Sequence, residues 1–462
     1  MALRFGTDGL RGVANAELTP ELALALGRAA ARVLRGPRFL IGRDTRCSGP
    51  MLEAALAAGV AAEGVPVVRL GVLPTPGVAW LSAAEGVPAA VISASHNPFP
   101  DNGIKLFASG GRKLGDEVEL RLEAELDRLV AAGPGGARSS PTGVGVGVVG
   151  EDRGGTERYV EALVASVDGR RLDGLAVVVD CAHGAASAVG PAVLGRLGAK
   201  VEALHAAPDG RNINAWCGST HLEPLRRAVV AAGADVGLAL DGDADRVLAV
   251  DHRGRLVDGD QLIAVCAADL LARGRLADRT VVVTVMANLG LRLAMAELGV
   301  TVVETPVGDR YVLAALESGG WSLGGEQSGH VVFADLATTG DGVLTGVQVL
   351  DVMRRAGRSL ADLATSAMTP LPQALRSVQL ADREGLDLDR ALAGEIAAVE
   401  AELGPQGRVL IRPSGTEPVV RVMVEAASEE QAAAAADRLS ASVARLAGPT
   451  DPPPGGDDPA GR

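Results

Sequence analysis

The chain has 462 residues, a hydrophobic fraction of 47%, a charged fraction of 22% and a formal net charge of −13 at pH 7, which allows several domains with real cores and excludes a disordered polyelectrolyte. Aromatic residues make up only 2%, so the cores must be built from Ala, Val and Leu. The same scarcity, with the acidic balance, excludes a base-stacking nucleic-acid surface. Cys47, Cys181, Cys217 and Cys266 are far apart, with neither a disulfide framework nor a zinc spacing, and no apolar run of about 18 residues is present to cross a membrane. A cytoplasmic protein with reduced thiols and a small-molecule partner is expected.

The segment Arg4-Phe5-Gly6-Thr7-Asp8-Gly9-Leu10-Arg11-Gly12 suits a loop that brings backbone close to an anion, although an ordinary glycine turn would look similar. Thr19-Pro20 predicts a helix N-cap and first turn, with a helix to about residue 34. Apolar runs at 38–42, 65–70 and 89–94 alternate with helical patterns at 50–63 and 76–85, which predicts βαβ units. Gly42-Arg43-Asp44-Thr45-Arg46 follows the first strand, where its charges suit either a site or a structural ion pair. The third run breaks at Ser95-His96-Asn97-Pro98 into a polar loop through Asp101, Asn102 and Gly103 to Lys105. Ligands bind beside the carboxyl ends of strands in open α/β sheets, so this loop can bring a hydroxyl, an imidazole and an ammonium to one ligand. Lysine occurs only at 105, 113 and 200, which makes Lys105 stand out. The plainer alternative is a serine that caps a turn.

A charged helix is expected at 116–132, and the Gly-, Ser- and Pro-rich stretch to Gly150 marks a domain boundary. A second α/β pattern runs over 151–253 and contains Asn212-Ile213-Asn214-Ala215-Trp216-Cys217-Gly218-Ser219-Thr220-His221. It also contains Leu240-Asp241-Gly242-Asp243-Ala244-Asp245-Arg246. On a straight strand those three carboxylates would span about 13 Å, too far for one cation, so the chain must curl. Oxygen ligands without His or Cys favour Mg²⁺ over zinc. An EF-hand is excluded, because Arg246 and His252 stand at the sixth and twelfth loop positions.

A third α/β unit is expected over 254–370, with Thr305-Pro306-Val307-Gly308-Asp309-Arg310 after one strand and Glu326-Gln327-Ser328-Gly329-His330 after another. Glu, Gln and Ser there suit sugar hydroxyls or an amino group. The last domain, 371–447, carries Arg412-Pro413-Ser414-Gly415-Thr416 between two strands and Arg421 on the second, a phosphate nest of hydroxyl, backbone and guanidinium donors. The Pro- and Gly-rich residues 448–462 are expected to be a disordered tail.

The string from Ile92 to Pro98 resembles the phosphoserine loop of the α-D-phosphohexomutases. The segments at Phe5–Gly12, Gly42–Arg46, Asp241–Arg246, 324–330 and 408–421 are similar to that family's remaining motifs, in the same order. The 212–219 segment and Gln327 look like the glucosamine-phosphate branch of the family. The resemblance implies three similar three-layer α/β domains followed by a smaller α+β C-terminal domain around a central cleft. It also implies interconversion of glucosamine 6-phosphate and glucosamine 1-phosphate, toward UDP-N-acetylglucosamine and peptidoglycan, with a bisphosphorylated sugar as activator. In that scheme Ser95 carries the phosphoryl group, and Ser95, Asp241, Asp243 and Asp245 hold one Mg²⁺. Arg11, Lys105 and Arg246 orient phosphoryl oxygens, and His96, Lys105 and His330 serve the chemistry. Thr305, Gly308, Asp309, Arg310, Glu326 and Ser328, with Arg412, Ser414, Gly415, Thr416 and Arg421, bind the substrate. Two rival readings stand beside this one: a phosphomannomutase or phosphoglucomutase, against which the 212–221 segment argues, and a phosphosugar-binding regulator, against which Ser95 and the three aspartates argue. Oligomeric state is open, with a homodimer among the options.

Overall fold

The computed structural model describes residues 9–133, 140–379, 388–413 and 419–447. The described residues fall into two compact units, those within 1–287 and 295–367, and those within 288–294 and 368–447.

The larger unit holds three sheets. The first runs in the order Leu10–Val13, Asp101–Ala108, Ala89–Ile92, Phe39–Arg43, Val67–Val72, Val149–Glu151. Its three central strands are parallel, as the alternating pattern predicts. The stretch Asp101–Ala108, expected as part of a polar loop, is instead a strand antiparallel to Ala89–Ile92, with Lys105 opposite Val91. Its interior residues are buried on both faces, and Ile104, Leu106 and Phe107 tie it into the core, so the turn signals end the loop at Pro100. The second sheet is ordered Leu256–Val257, Val247–Asp251, Val236–Leu240, Ala176–Asp180, Lys200–Leu204, and the third Thr301–Thr305, Thr280–Thr284, Leu323–Gly325, Val331–Phe333.

Scarce aromatics force close packing by small side chains. Helix Pro20–Leu34 starts at Thr19, whose Oγ accepts from the Leu22 N–H, and Pro20 fills the first turn. It packs on helix Gly49–Ala62 through glycine. A Cβ at Gly59 would lie 2.1 Å from the Leu24 carbonyl oxygen, and one at Gly27 would lie 2.2 Å from that of Leu56. The helices therefore touch backbone to backbone.

The smaller unit is a three-stranded antiparallel sheet, ordered Gln373–Gln379, Val419–Glu425, Arg408–Pro413. Helices Leu388–Leu403 and Glu429–Ala447 cover it over a core that includes Val420, Val422, Val424, Val399 and Leu439. Among the described residues no helix is long and apolar enough to cross a membrane.

Candidate active site

Ser95 lies three residues beyond the strand Ala89–Ile92, 1% exposed and in a left-handed conformation with φ 50. Its N–H donates to Ser93 Oγ at 3.0 Å, and Ser93 in turn donates to Asp44. Its Oγ donates to Asp241 Oδ2 at 2.5 Å and lies 3.3 Å from His96 Nδ1. Burial lowers the His96 pKa, Arg246 and Arg11 add to the effect, and Asp243 and Asp245 oppose it. The imidazole beside the hydroxyl is thus held toward its neutral form.

Asp241 follows the strand Val236–Leu240 of the second sheet, and the chain curls there as the spacing requires. The Ala244 N–H reaches back to the Asp241 carbonyl at 3.1 Å, with Ala244 at φ 58. The turn brings one oxygen from each of Asp241, Asp243 and Asp245 to within 4.8 Å of one another, all buried. Burial and the two neighbouring carboxylates push the Asp241 pKa well up. Burial would do the same to Asp243, but Lys105 and Thr75 outweigh it and hold that group low. Lys105 Nζ donates to Asp243 at 2.8 Å and to Asp245 at 3.4 Å, and Thr75 Oγ donates to Asp243 at 2.6 Å. Thr75, just past the end of strand Val67–Val72 in Leu73-Pro74-Thr75-Pro76, escapes sequence reading; its place beyond a parallel strand is the signal that could have found it.

These aspartates fit a hard divalent cation. Asp243 Oδ1 and Asp245 Oδ1 are buried without any hydrogen-bond partner, an arrangement that only a further positive charge or donor would satisfy. A second cluster makes the contrast. Asp180, His205 and Cys217 also lie within 4.8 Å of one another, but the Asp180 oxygens already accept from the Ala182 and Gly218 N–H groups and pair with His205. That carboxylate is spent on the local fold.

The backbone N–H of Arg246 donates to Asp241 Oδ1 at 3.2 Å, and its guanidinium lies 3.8 Å from Asp245. Arg11 sits on the strand Leu10–Val13, paired opposite Gly103, and its charge helps to hold Asp243 low. Ser95, His96, Lys105, Arg11, Arg246 and the three aspartates are therefore assembled at one place.

The loops of the third sheet abut the aspartate loop Asp241–Arg246. The Val247 N–H donates to the Gly329 carbonyl and the Gly342 N–H to that of Ala244. His330 is fully buried; the Gly340 N–H donates to its Nε2 at 3.2 Å and its Nδ1 has no partner. Glu326 accepts from the Gly308 N–H at 3.2 Å and from Ser328 at 3.3 Å, which assembles three of the residues expected to bind substrate. Thr305 Oγ stays on local carbonyls. Asp309 pairs with Lys113, and Arg310 with Asp116 and Glu119 of helix Asp116–Ala132. In the smaller unit Arg412 and Arg421 stand opposite each other on paired strands. Burial and the Arg421 charge lower the Arg412 pKa. Ser414, Gly415 and Thr416 lie outside the described residues.

Comparison with known proteins agrees along nearly all of the chain. The phosphoglucomutase/phosphomannomutase alpha/beta/alpha domains I, II and III match residues 2–131, 157–254 and 258–371, and that family's C-terminal domain matches 375–442. A phosphoglucosamine mutase of Rhodococcus jostii is 55% identical over 453 residues, 96% of this chain and all of the relative. One of Thermobifida fusca is 55% identical over 448 residues, 95% of this chain and 98% of the relative. A crystal structure of a phosphoglucomutase/phosphomannomutase family protein from Burkholderia thailandensis is 27% identical with a TM-score of 0.78, covering 95% of this chain and 97% of that one. The Aspergillus fumigatus N-acetylphosphoglucosamine mutase, solved with GlcNAc-6P and magnesium, shares the fold at 19% identity and a TM-score of 0.68, over 97% of this chain and 96% of that one. With four family domains matched in order and over half of the residues shared with full-length relatives, the chain belongs to the phosphoglucomutase/phosphomannomutase family, in its phosphoglucosamine mutase branch.

Proposed function

We propose that the chain interconverts glucosamine 6-phosphate and glucosamine 1-phosphate through a phosphorylated Ser95 and a bisphosphorylated sugar. The carrying observation is Ser95 Oγ, buried and 2.5 Å from Asp241, within a carboxylate cluster that has two unsatisfied oxygens. A lone serine cap needs no such cluster.

In the forward step the bond from phosphorus to Ser95 Oγ breaks as a bond from phosphorus to the sugar's free hydroxyl oxygen forms. The hydroxyl proton leaves to a base. His330 and Lys105 are the candidates for this proton transfer. The resulting bisphosphate then offers its other phosphate to Ser95: the bond from that phosphorus to the sugar oxygen breaks as the bond to Ser95 Oγ forms, and the sugar oxygen takes the proton back, so the serine ends as it began and the sugar is isomerised. A bisphosphorylated sugar therefore also serves as activator, since it phosphorylates an empty Ser95.

Asp241, Asp243 and Asp245, with the Ser95 phosphoryl oxygens, would hold Mg²⁺, which when bound neutralises charge on the transferring group. Arg11, Arg246 and Lys105 orient the phosphoryl oxygens by charge-assisted hydrogen bonds. Glu326 and Ser328, set on a loop that Gly308 braces, recognise the sugar. Arg412 and Arg421 form the phosphate-binding pair of the C-terminal domain.

The test is phosphorus NMR of purified protein with Mg²⁺, a trace of glucosamine 1,6-bisphosphate, and glucosamine, mannose or glucose 6-phosphate in turn. Conversion of glucosamine 6-phosphate well ahead of the other two supports the proposal. Preference for mannose or glucose phosphate would reassign the substrate, and conversion of none would make the chain a binding protein.

A further inference from the structure

The carbonyl of Ser95 is held as tightly as its hydroxyl. A left-handed φ on a non-glycine residue is unfavourable by about 1 kcal/mol or more, so something must hold the loop in this shape. Two side chains from different domains do so. Arg46 is fully buried and paired with Asp44 at 2.8 Å. Its guanidinium donates to the carbonyls of Ser95 at 3.0 Å, Asn97 at 2.8 Å and Asp101 at 3.0 Å, and to that of Pro98. Asn214, from the second domain, donates its Nδ2 to the same Ser95 carbonyl at 2.8 Å and to that of Asn97 at 3.0 Å. The amide orientation is forced, since a flipped amide would set an oxygen against two carbonyl oxygens. Asn214 is in turn anchored by its N–H on the Ala182 carbonyl at 2.9 Å. Gly242 of the metal loop closes the junction, for a Cβ there would lie 2.5 Å from the Ser95 oxygen and 2.9 Å from Asn214 Nδ2.

A fixed carbonyl fixes the peptide plane, which sets the direction of the Ser95 side chain and so the place of Oγ beside Asp241. We propose that Arg46 and Asn214 are positioning residues for Ser95, and that the 212–218 segment acts by tying the second domain to the nucleophile loop, so that Ser95 is competent only when the two domains are docked. This rests on the reading of Ser95 as phosphoryl carrier. It gives a task to two motifs, Gly42–Arg46 and Asn212–Gly218, that the chemistry itself leaves unused.

The experiment follows phosphorylation of Ser95 by glucosamine 1,6-bisphosphate with intact-mass analysis in a single turnover, beside steady-state kinetics, on full-length wild type, Asn214→Ala, Asn214→Asp and Arg46→Lys. Asn214→Ala should slow phosphorylation and kcat together by about 10- to 100-fold, the scale of a small nucleophile displacement. KM for glucosamine 1-phosphate should stay within about twofold, because Asn214 makes no substrate contact in this scheme. Asn214→Asp, equal in size but with an oxygen facing two carbonyls, should be slower still. Arg46→Lys keeps the charge beside Asp44 but not the fork, and should fall with Asn214→Ala. Arg46→Ala is avoided because it leaves Asp44 buried and unpaired. If wild type is phosphorylated and Asn214→Ala matches it in rate, the positioning role is wrong, even when the variant melts earlier. A rise in KM at unchanged kcat overturns it too. If wild type takes up no phosphate, the carrier reading fails and this inference falls with it.

Discussion

Ser95 and Asp241 follow strands of different sheets, yet the hydroxyl of one lies 2.5 Å from a carboxylate oxygen of the other. Each stands beyond the carboxyl end of its own strand, so the contact joins two strand-end loops and places the proposed phosphoryl carrier at the aspartate cluster.

Ser95→Ala should therefore abolish turnover and leave the fold intact, with a loss of about 10⁴-fold or more, as expected when the only nucleophile of a covalent route is removed. Intact-mass analysis after treatment with bisphosphate should show one labile phosphate on wild type and none on the variant. Phosphate uptake by Ser95→Ala would place the nucleophile elsewhere.

Asp243→Asn should weaken metal binding and lower kcat by about 100-fold or more, since it removes one of three carboxylates and the nearer of the two that pair with Lys105. Titration of Mg²⁺ followed by calorimetry gives a readout apart from activity. Equal affinity in wild type and variant would exclude Asp243 as a ligand.

Much of this site was legible because it is contiguous: the serine loop and the aspartate loop are each written within a few residues, and apolar runs announce the strands before them. The residues around them were less legible for a physical reason. Lys105 sits on a strand because Ile104, Leu106 and Phe107 are buried on both faces, whereas Asn-Pro, Pro-Asp and Asn-Gly nearby signal turns. Arg46, Thr75 and Asn214 reach the site through hydrogen bonds between residues 49, 168 and 119 positions apart, and nothing in a local pattern encodes such a pairing. Arg310 shows the converse: its motif marks it for substrate, while the structure sets it against Asp116 and Glu119.

Gly59→Ala should destabilise the protein although alanine is the better helix former. The propensity gain is at most about 1 kcal/mol, whereas the new Cβ would meet the Leu24 carbonyl oxygen at 2.1 Å. Forced overpacking of that kind is unfavourable by about 1–3 kcal/mol or more, so the clash wins. Gly195→Ala is the control, because its Cβ in helix Val189–Arg196 would meet nothing within 4 Å, and it should be neutral or stabilising. Thermal melts of both variants decide the matter; a stable Gly59→Ala would show that the two helices can move apart.

Burial of Asp341 beside Tyr159 gives the fold a pH dependence that can be isolated. Asp341 is fully buried, caps helix Gly342–Ala356 by accepting from the Leu344 N–H, and accepts from Tyr159 at 2.7 Å. Burial pushes its pKa up to about 6, against the Leu344 N–H and the tyrosine hydroxyl, while Asp245 adds repulsion. The folded protein thus keeps a proton between about pH 4 and pH 6 that the unfolded chain has released. Binding more protons when folded means that this group's contribution to stability falls as pH rises through that window, and the unfavourable effect is complete above about pH 6. The full change is on the order of 3 kcal/mol. Asp341→Asn keeps a capping oxygen without the ionisation, so it should remove this dependence. The melting temperature of the variant minus that of wild type, measured in chelator to keep metal from the nearby aspartates, should rise between pH 4 and pH 7. A flat difference would mean that Asp341 ionises as readily folded as unfolded, and that the tyrosine hydroxyl and the helix N–H compensate its burial in full.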